Sequence, residues 1–227
     1  MERKPSDLAP SENLHVLYED NHLIAVYKPS GVLVQADASG AVSLMDMTRE
    51  YIKNKHRKPG NVFLGLVHRL DRPVSGVVLF AKTSKAASRI SEQLRSRSVE
   101  KIYRALVHGA VNPPSGSLLS FLKKGEKKVR LVREGEAEAK KASLSYRTLH
   151  GVKDKTLLEI RLHTGRKHQI RVQLAGLGHP VEGDAKYGAP YALSGGAIRL
   201  LSFSLTFKHP TRDERITIKA ASPSWAL

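Results

Sequence analysis

Apolar and polar positions alternate along this chain in patterns that mark out successive elements. Leu14 to Tyr18 and Leu23 to Tyr27 are short β-rich runs joined by Glu19-Asp20-Asn21, which predicts a hairpin. Lys28-Pro29-Ser30-Gly31 ends the second run in a turn. Leu44 to Lys55 predicts a helix, and Lys55 to Asn61 a basic loop. Val77 to Ala81 is apolar throughout and predicts a buried strand. Thr83 or Ser84 can cap a helix from about Lys85 to Arg97, with Ala87, Ile90 and Leu94 on one inward face. Ile102 to Val107 predicts a strand, and Asn112-Pro113-Pro114-Ser115-Gly116 a break. Leu118 to Lys141 is polar and basic, with room for short strands. Leu158, Ile160 and Leu162 alternate with Glu159 and Arg161, a half-buried strand. Thr164 is placed to cap a helix from about Arg166 to Leu177, with Ile170, Leu174 and Leu177 inward. Leu201, Phe203, Leu205 and Phe207 alternate with Ser202, Ser204 and Thr206, and a turn at Lys208 to Arg212 leads into Arg215 to Ala220.

Strands outnumber helices, and turns rather than helices join most of them. The expected fold is therefore α+β, a mixed and mainly antiparallel β-sheet flanked by helices. Residues 1–12 read as a flexible polar arm, and residues 13–227 as a single domain.

Charge changes the picture more than length does. Lys and Arg number 38 against 21 Asp and Glu, a formal net charge of +17. Between Lys101 and Arg171 there are 17 Lys and Arg against 6 Asp and Glu, so +11 of that total falls in about a third of the chain. Such a run is either a solvated face or an attraction for a polyanion, and nucleic acid is the polyanion to expect. A membrane-surface role fits less well, because no long amphipathic helix gathers Lys and Arg opposite Leu and Phe. Aromatic residues make up only 6%, too few for a platform stacking many bases. Cysteine is absent and the ten His show no ligand spacing, so no metal site is expected. The charged N-terminus has no apolar core of a secretory signal, and no apolar run is long enough to span a bilayer.

The densest chemistry lies in His68-Arg69-Leu70-Asp71-Arg72-Pro73-Val74-Ser75, closed by Gly76. One carboxylate, Asp71, stands between two arginines and just ahead of the buried strand. That is how a chain would present an ionised nucleophile, although the spacing also fits an ion-pair cluster on a surface loop.

Three further segments join it: Lys101-Ile102-Tyr103-Arg104-Ala105, then His163-Thr164-Gly165-Arg166-Lys167-His168-Gln169-Ile170-Arg171, then Gly183-Asp184-Ala185-Lys186-Tyr187-Gly188. With Lys28-Pro29-Ser30-Gly31, in this order and over about Leu14 to Ala220, the chain resembles the RluA-type pseudouridine synthases. The resemblance implies an enzyme that turns a uridine of tRNA or rRNA into pseudouridine without metal or cofactor, in the cytoplasm. It implies that Asp71 is the catalytic carboxylate, paired by Arg171, with Tyr103 against the uracil. A carboxylate within bonding reach serves whether it attacks ribose, attacks base or removes a sugar proton. Arg69 matches a residue that fills the RNA stack after the nucleotide is flipped out. Arg72, Arg166, Lys167 and His168, with Lys123, Lys124, Lys127 and Lys128 of the basic region, are expected to bind RNA.

Val74 stands where the family usually has Thr, which implies a packing role. Too few residues precede Leu14 for an S4 RNA-binding domain, so target recognition is expected from the catalytic domain alone, acting as a monomer. The alternative is a non-catalytic RNA-binding protein on the same fold. A carboxylate-nucleophile glycosidase fits less well, because such enzymes pair two acids and no second acid is expected beside Asp71.

Overall fold

The computed structural model describes residues 14–226; the polar arm expected over residues 1–12 lies outside them. The strands are β1 (Val16–Glu19), β2 (Leu23–Lys28), β3 (Gly65–Leu66), β4 (Ser75–Ala81), β5 (Glu100–His108), β6 (Ser115–Lys124), β7 (Val129–Val132), β8 (Lys140–Val152), β9 (Lys155–Leu162), β10 (Leu200–Lys208) and β11 (Arg215–Lys219). The helices are α1 (Leu44–Lys55), α2 (Ser84–Arg95) and α3 (Gln169–Gly176). One sheet holds every strand, in the order β1-β2-β4-β10-β5-β9-β8-β6-β7, with β11 on β10 and β3 on β4. Only the β4–β10 pair is parallel. The mixed, mainly antiparallel sheet with flanking helices is the expected fold class.

Two-residue alternation sorts the middle of the sheet onto two faces. Ile24, Val26, Val78 and Phe80 pack with Leu44 and Ile52 of α1. Leu23, Ala25, Val77 and Leu79 pack on the opposite face with Ala86 and Ile90 of α2, and Leu205 and Phe207 join them. This is why the β4 run is apolar at every position: all seven residues are buried. β10 is likewise covered on both faces, so its serines at 202 and 204 are buried despite the alternation that suggested a polar side. Gly76 lets β4 and β10 meet. Its φ is 120°, and a Cβ there would lie 2.2 Å from the Ser202 carbonyl oxygen.

Both caps that bound the first two helices follow from short polar side chains. The Ser43 hydroxyl accepts from the Asp46 amide while the Asp46 carboxylate accepts from the Ser43 amide. The Thr83 hydroxyl accepts from the Ala86 amide at 3.2 Å.

Three expectations need correction. The third helix begins at Gln169 rather than near Arg166, and Thr164 does not cap it. The Thr164 hydroxyl instead donates to the Gln169 side-chain oxygen at 2.7 Å, and the Arg166 amide donates to that same oxygen at 3.0 Å. The Gln169 amide nitrogen donates to the Ser143 carbonyl at 3.0 Å. Residues 164–168 are thus held as a turn against β8, and His168 leaves it at φ 55°, outside helical space. Leu177 follows the helix and is exposed. Finally, the basic region holds strands, of which only β7 is short: β6 and β8 form a long antiparallel arm, and β7 folds back on β6.

Candidate active site

The loop carrying Asp71 is fixed from beneath by the turn that follows β2. The Lys28 ammonium is fully buried and donates to the carbonyls of Pro29, Val32 and Arg72 at 2.9, 2.8 and 3.0 Å. Burial drops its pKa to about 8, against the pull of the Asp71 charge. Gly31 donates its amide to the Arg72 carbonyl at 2.8 Å, and the Ser30 hydroxyl donates to the Pro73 carbonyl at 2.8 Å. The Lys-Pro-Ser-Gly turn therefore holds residues 72 and 73 in place immediately after the acid.

Asp71 faces Arg171, whose Nη1 donates to its carboxylate at 3.2 Å. Arg171 has a second and better partner that the spacing did not reveal. Its Nε and Nη2 donate to the two Asp184 oxygens at 2.7 and 2.8 Å, a bidentate pair. Burial works against the Arg171 charge, but hydrogen bonding and attraction to Asp184, then to Asp71, hold its pKa above the ordinary value. The expected absence of a second acid is thus corrected: Asp184 stands across Arg171 from Asp71. Both its oxygens are occupied by one guanidinium and it is buried, which suits it to aim Arg171 rather than to exchange protons. The signal was Gly183-Asp184, where Gly183 has φ 83° and a Cβ would lie 2.7 Å from the Ala197 carbonyl.

The two arginines adjacent in sequence do not pair with Asp71. Arg72 turns outward and its Nε donates to the Gly31 carbonyl at 2.9 Å. Arg69 is exposed and lines the mouth of the site. The charge that faces the acid comes from a residue one hundred positions later.

A recess of about 100 Å³ opens beside this pair, lined by Asp71, Tyr103, Arg171, Leu70, Val74 and Leu200 among others. Tyr103 is brought there by β5 and is buried; burial, offset in part by a hydrogen bond with Ser202, pushes its phenol up to about 12. Val74 is 3% exposed and belongs to the core, in keeping with packing at that position.

His168 was expected among the RNA-binding residues, yet its side chain is tucked inward. Its Nδ1 is 2.8 Å from the Tyr187 hydroxyl, and its Nε2 is 3.7 Å from Asp71 Oδ2. Burial lowers its pKa in spite of the attraction to Asp71. The Tyr187 hydroxyl also accepts the Val129 amide at 3.1 Å, and its ring lies 5.0 Å from the Arg171 guanidinium. Tyr187 thereby ties the β6–β7 hairpin to the site, a link that no local pattern announced.

The remaining basic candidates are distributed around this centre. Arg166 lines the recess, and its Nε donates to the Lys141 carbonyl at 3.1 Å. Lys167 is exposed on a second cleft that also reaches Asp71, His168 and Lys186. Lys123 is paired with Glu136 at 3.1 Å, whereas Lys124, Lys127 and Lys128 are exposed. Lys128 lies 5.8 Å above the Tyr187 ring. Among the described residues no helix is long and apolar enough to cross a membrane.

Residues 22–176 match the family model described as RNA pseudouridylate synthase. An uncharacterized RNA pseudouridine synthase of Aquifex aeolicus (strain VF5) is 34% identical over 98% of this chain and 74% of its own length. Ribosomal large subunit pseudouridine synthase C of Buchnera aphidicola subsp. Acyrthosiphon pisum is 35% identical over 90% of this chain, which covers 66% of that relative. Among solved structures, human RNA pseudouridylate synthase domain containing 4 superimposes with a TM-score of 0.77 at 26% identity, covering 93% of this chain and 90% of the other.

Proposed function

The chain belongs to the RNA pseudouridylate synthase family, and from that premise we propose that it isomerises a uridine of large-subunit ribosomal RNA, with Asp71 as the catalytic carboxylate. The single observation that supports this most is the order Asp184–Arg171–Asp71. A guanidinium immobilised by a deep carboxylate presents its remaining N–H to a shallower one. Such an arrangement sets a fixed positive charge against Asp71 and aims it while leaving it 26% exposed to a substrate in the recess.

Uridine and pseudouridine are isomers, so the reaction needs no co-reactant. The C1′–N1 bond breaks, C1′–C5 forms, a proton leaves C5 and a proton arrives at N1. Tyr103 lies against the recess with a phenol that keeps its proton at neutral pH. It serves as a flat wall for the uracil and as a hydrogen-bond donor, not as a base. Arg69, exposed at the mouth, meets the strand from which the nucleotide is extruded. Arg72, Arg166 and Lys167, with Lys123, Lys124, Lys127 and Lys128, supply backbone attraction around it. His168 borders Asp71 within the site at 3.7 Å and is held there by the Tyr187 hydroxyl.

The name of the Buchnera aphidicola relative, a ribosomal large subunit pseudouridine synthase, supports the choice of ribosomal over transfer RNA. Action as a monomer in the cytoplasm belongs to the same reading.

The test incubates the protein with unmodified large-subunit rRNA transcript and, separately, with unmodified tRNA, and maps new pseudouridines chemically. Conversion in the rRNA is expected. Asp71→Asn should abolish it while retaining most RNA affinity. Near-normal conversion by that variant would defeat the assignment of Asp71, and conversion of tRNA alone would defeat the choice of substrate.

A further inference from the structure

The recess around Asp71 is the middle of three connected depressions, and Arg69 lines all three. One flanking cleft, of about 530 Å³, leads from Tyr103 and Arg166 toward the C-terminal end of α2. Arg95, Arg97 and Lys101 add to its walls, and no carboxylate lines it. Arg95 is paired with Glu92, but Arg97 and Lys101 have no ion-pair partner among the described residues. Elsewhere in this region carboxylates are taken up: Glu100, next to Lys101, pairs with Arg161 at 3.2 Å.

Two details hold these free charges at the cleft. Arg97 follows the α2 C-cap with φ 61°, in the left-handed region where helix ends usually place glycine. An arginine is kept there at the expense of backbone strain. Lys101 is half-buried, and its ammonium lies beside Gly165, where a Cβ would come within 3.8 Å. Lys101 and Gly165 both line the cleft. Burial and the nearby Arg97 both lower the Lys101 pKa, as expected of crowded cations with no counter-charge.

We propose that this cleft holds the sugar–phosphate backbone of the RNA strand flanking the target nucleotide, with Lys101 and Arg97 each neutralising one phosphate. The proposal rests on the reading that Asp71 acts on an extruded uridine. The cleft then supplies what the recess does not. Phosphates are repelled by Asp71 and drawn toward Lys101 and Arg97, so the backbone passes to one side and the base is left to enter the recess. Contacts to phosphate carry no sequence information, so this contribution is independent of sequence.

The experiment measures binding of a fluorescein-labelled 15-nucleotide oligouridylate by anisotropy between 50 and 300 mM KCl. Each phosphate contact on single-stranded RNA contributes about 0.7 to the slope of log affinity against log salt. Lys101→Gln and Arg97→Gly should each lower the slope by about 0.7 and weaken binding about fourfold at 0.15 M salt. The double variant should lose about 1.4 in slope and roughly fifteenfold in affinity. Lys219→Gln, an exposed lysine on β11, should leave both unchanged. Arg97→Gly also relieves the left-handed strain, so its Tm should match or exceed that of the wild type while its binding weakens, an outcome a structural role for Arg97 would not produce. Unchanged slopes in both cleft variants would overturn the proposal, as would an equal loss in Lys219→Gln. Conversion of rRNA by the wild-type protein and by Asp71→Asn is scored alongside, so failure of the Asp71 reading registers there and not in the slopes.

Discussion

Removing the Asp184 carboxylate should cost this protein both stability and turnover, for different reasons. The Arg171 side chain is 6% exposed and that of Asp184 1%. In Asp184→Ala the guanidinium stays buried and keeps a single hydrogen bond, the 3.2 Å contact to Asp71. Stripping one partner from a buried ion pair costs about 3–5 kcal/mol, because the other charge is left unsatisfied. For a chain of this size about 1 kcal/mol moves Tm by 2–4 °C, so a fall of roughly 6–20 °C is expected by circular dichroism. Turnover should drop by about a hundredfold or more, since the arginine that aims Asp71 is no longer aimed itself. The informative comparison is Arg171→Met with Asp184→Leu. Replacing a buried pair by apolar side chains of similar volume is often neutral or stabilising. The double variant should therefore melt above either single variant and still make no product. If Asp184→Ala melts within about 2 °C of the wild type, or if the two single losses simply add in the double variant, the argument for a buried, mutually dependent pair is wrong.

Three other outcomes follow from the same physical reasoning. Gly76→Ala should destabilise by roughly 2–6 kcal/mol, from strain at φ 120° plus collision with the Ser202 carbonyl, and should appear as low soluble yield and a depressed Tm. Glu19, hydrogen-bonded by Lys55, Lys82 and His56, has its pKa lowered to about 2 although burial opposes this. Its contribution is complete above the ordinary carboxylate range and is lost as pH falls toward 2, so Glu19→Gln should remove about 3 kcal/mol at pH 6 and little at pH 2 in urea titrations. Tyr103 keeps its proton up to about pH 12 in the folded protein, whereas the unfolded phenol ionises near 10. Stability should thus fall between pH 10 and 12 in the wild type, and less so in Tyr103→Phe.

Features set by neighbouring residues were legible before the structure. α1 was placed at its observed bounds because its apolar spacing and following basic loop are local. β4 and β10 were found from uninterrupted or alternating apolar runs. Asp71, Tyr103 and Arg171 were found by motif, and the fold brings all three to one recess. What stayed hidden depends on distant partners. The start of α3 is decided by Gln169 reaching Thr164, Arg166 and Ser143. Lys28 reads as an ordinary turn lysine until three carbonyls close around it. Asp184, 113 positions after Asp71, is marked locally only by the glycine before it, and its clasp on Arg171 appears only in the folded chain. Arg72, beside the acid in sequence, was the more obvious counter-ion and is not the one used.

The position of β10 has a consequence for the order of events after synthesis. β4 and β5 follow one another along the chain with only α2 between them, yet in the sheet they are separated by β10, which is made about a hundred residues later. Until that strand arrives, Asp71 and Tyr103 sit on two plates with an empty slot between them, each offering unpaired amides and carbonyls along its edge. The enzyme is assembled by its latecomer, as an arch is closed by the last stone. A nascent chain halted short of residue 200 should be inert and prone to aggregate, however well its earlier helices have formed.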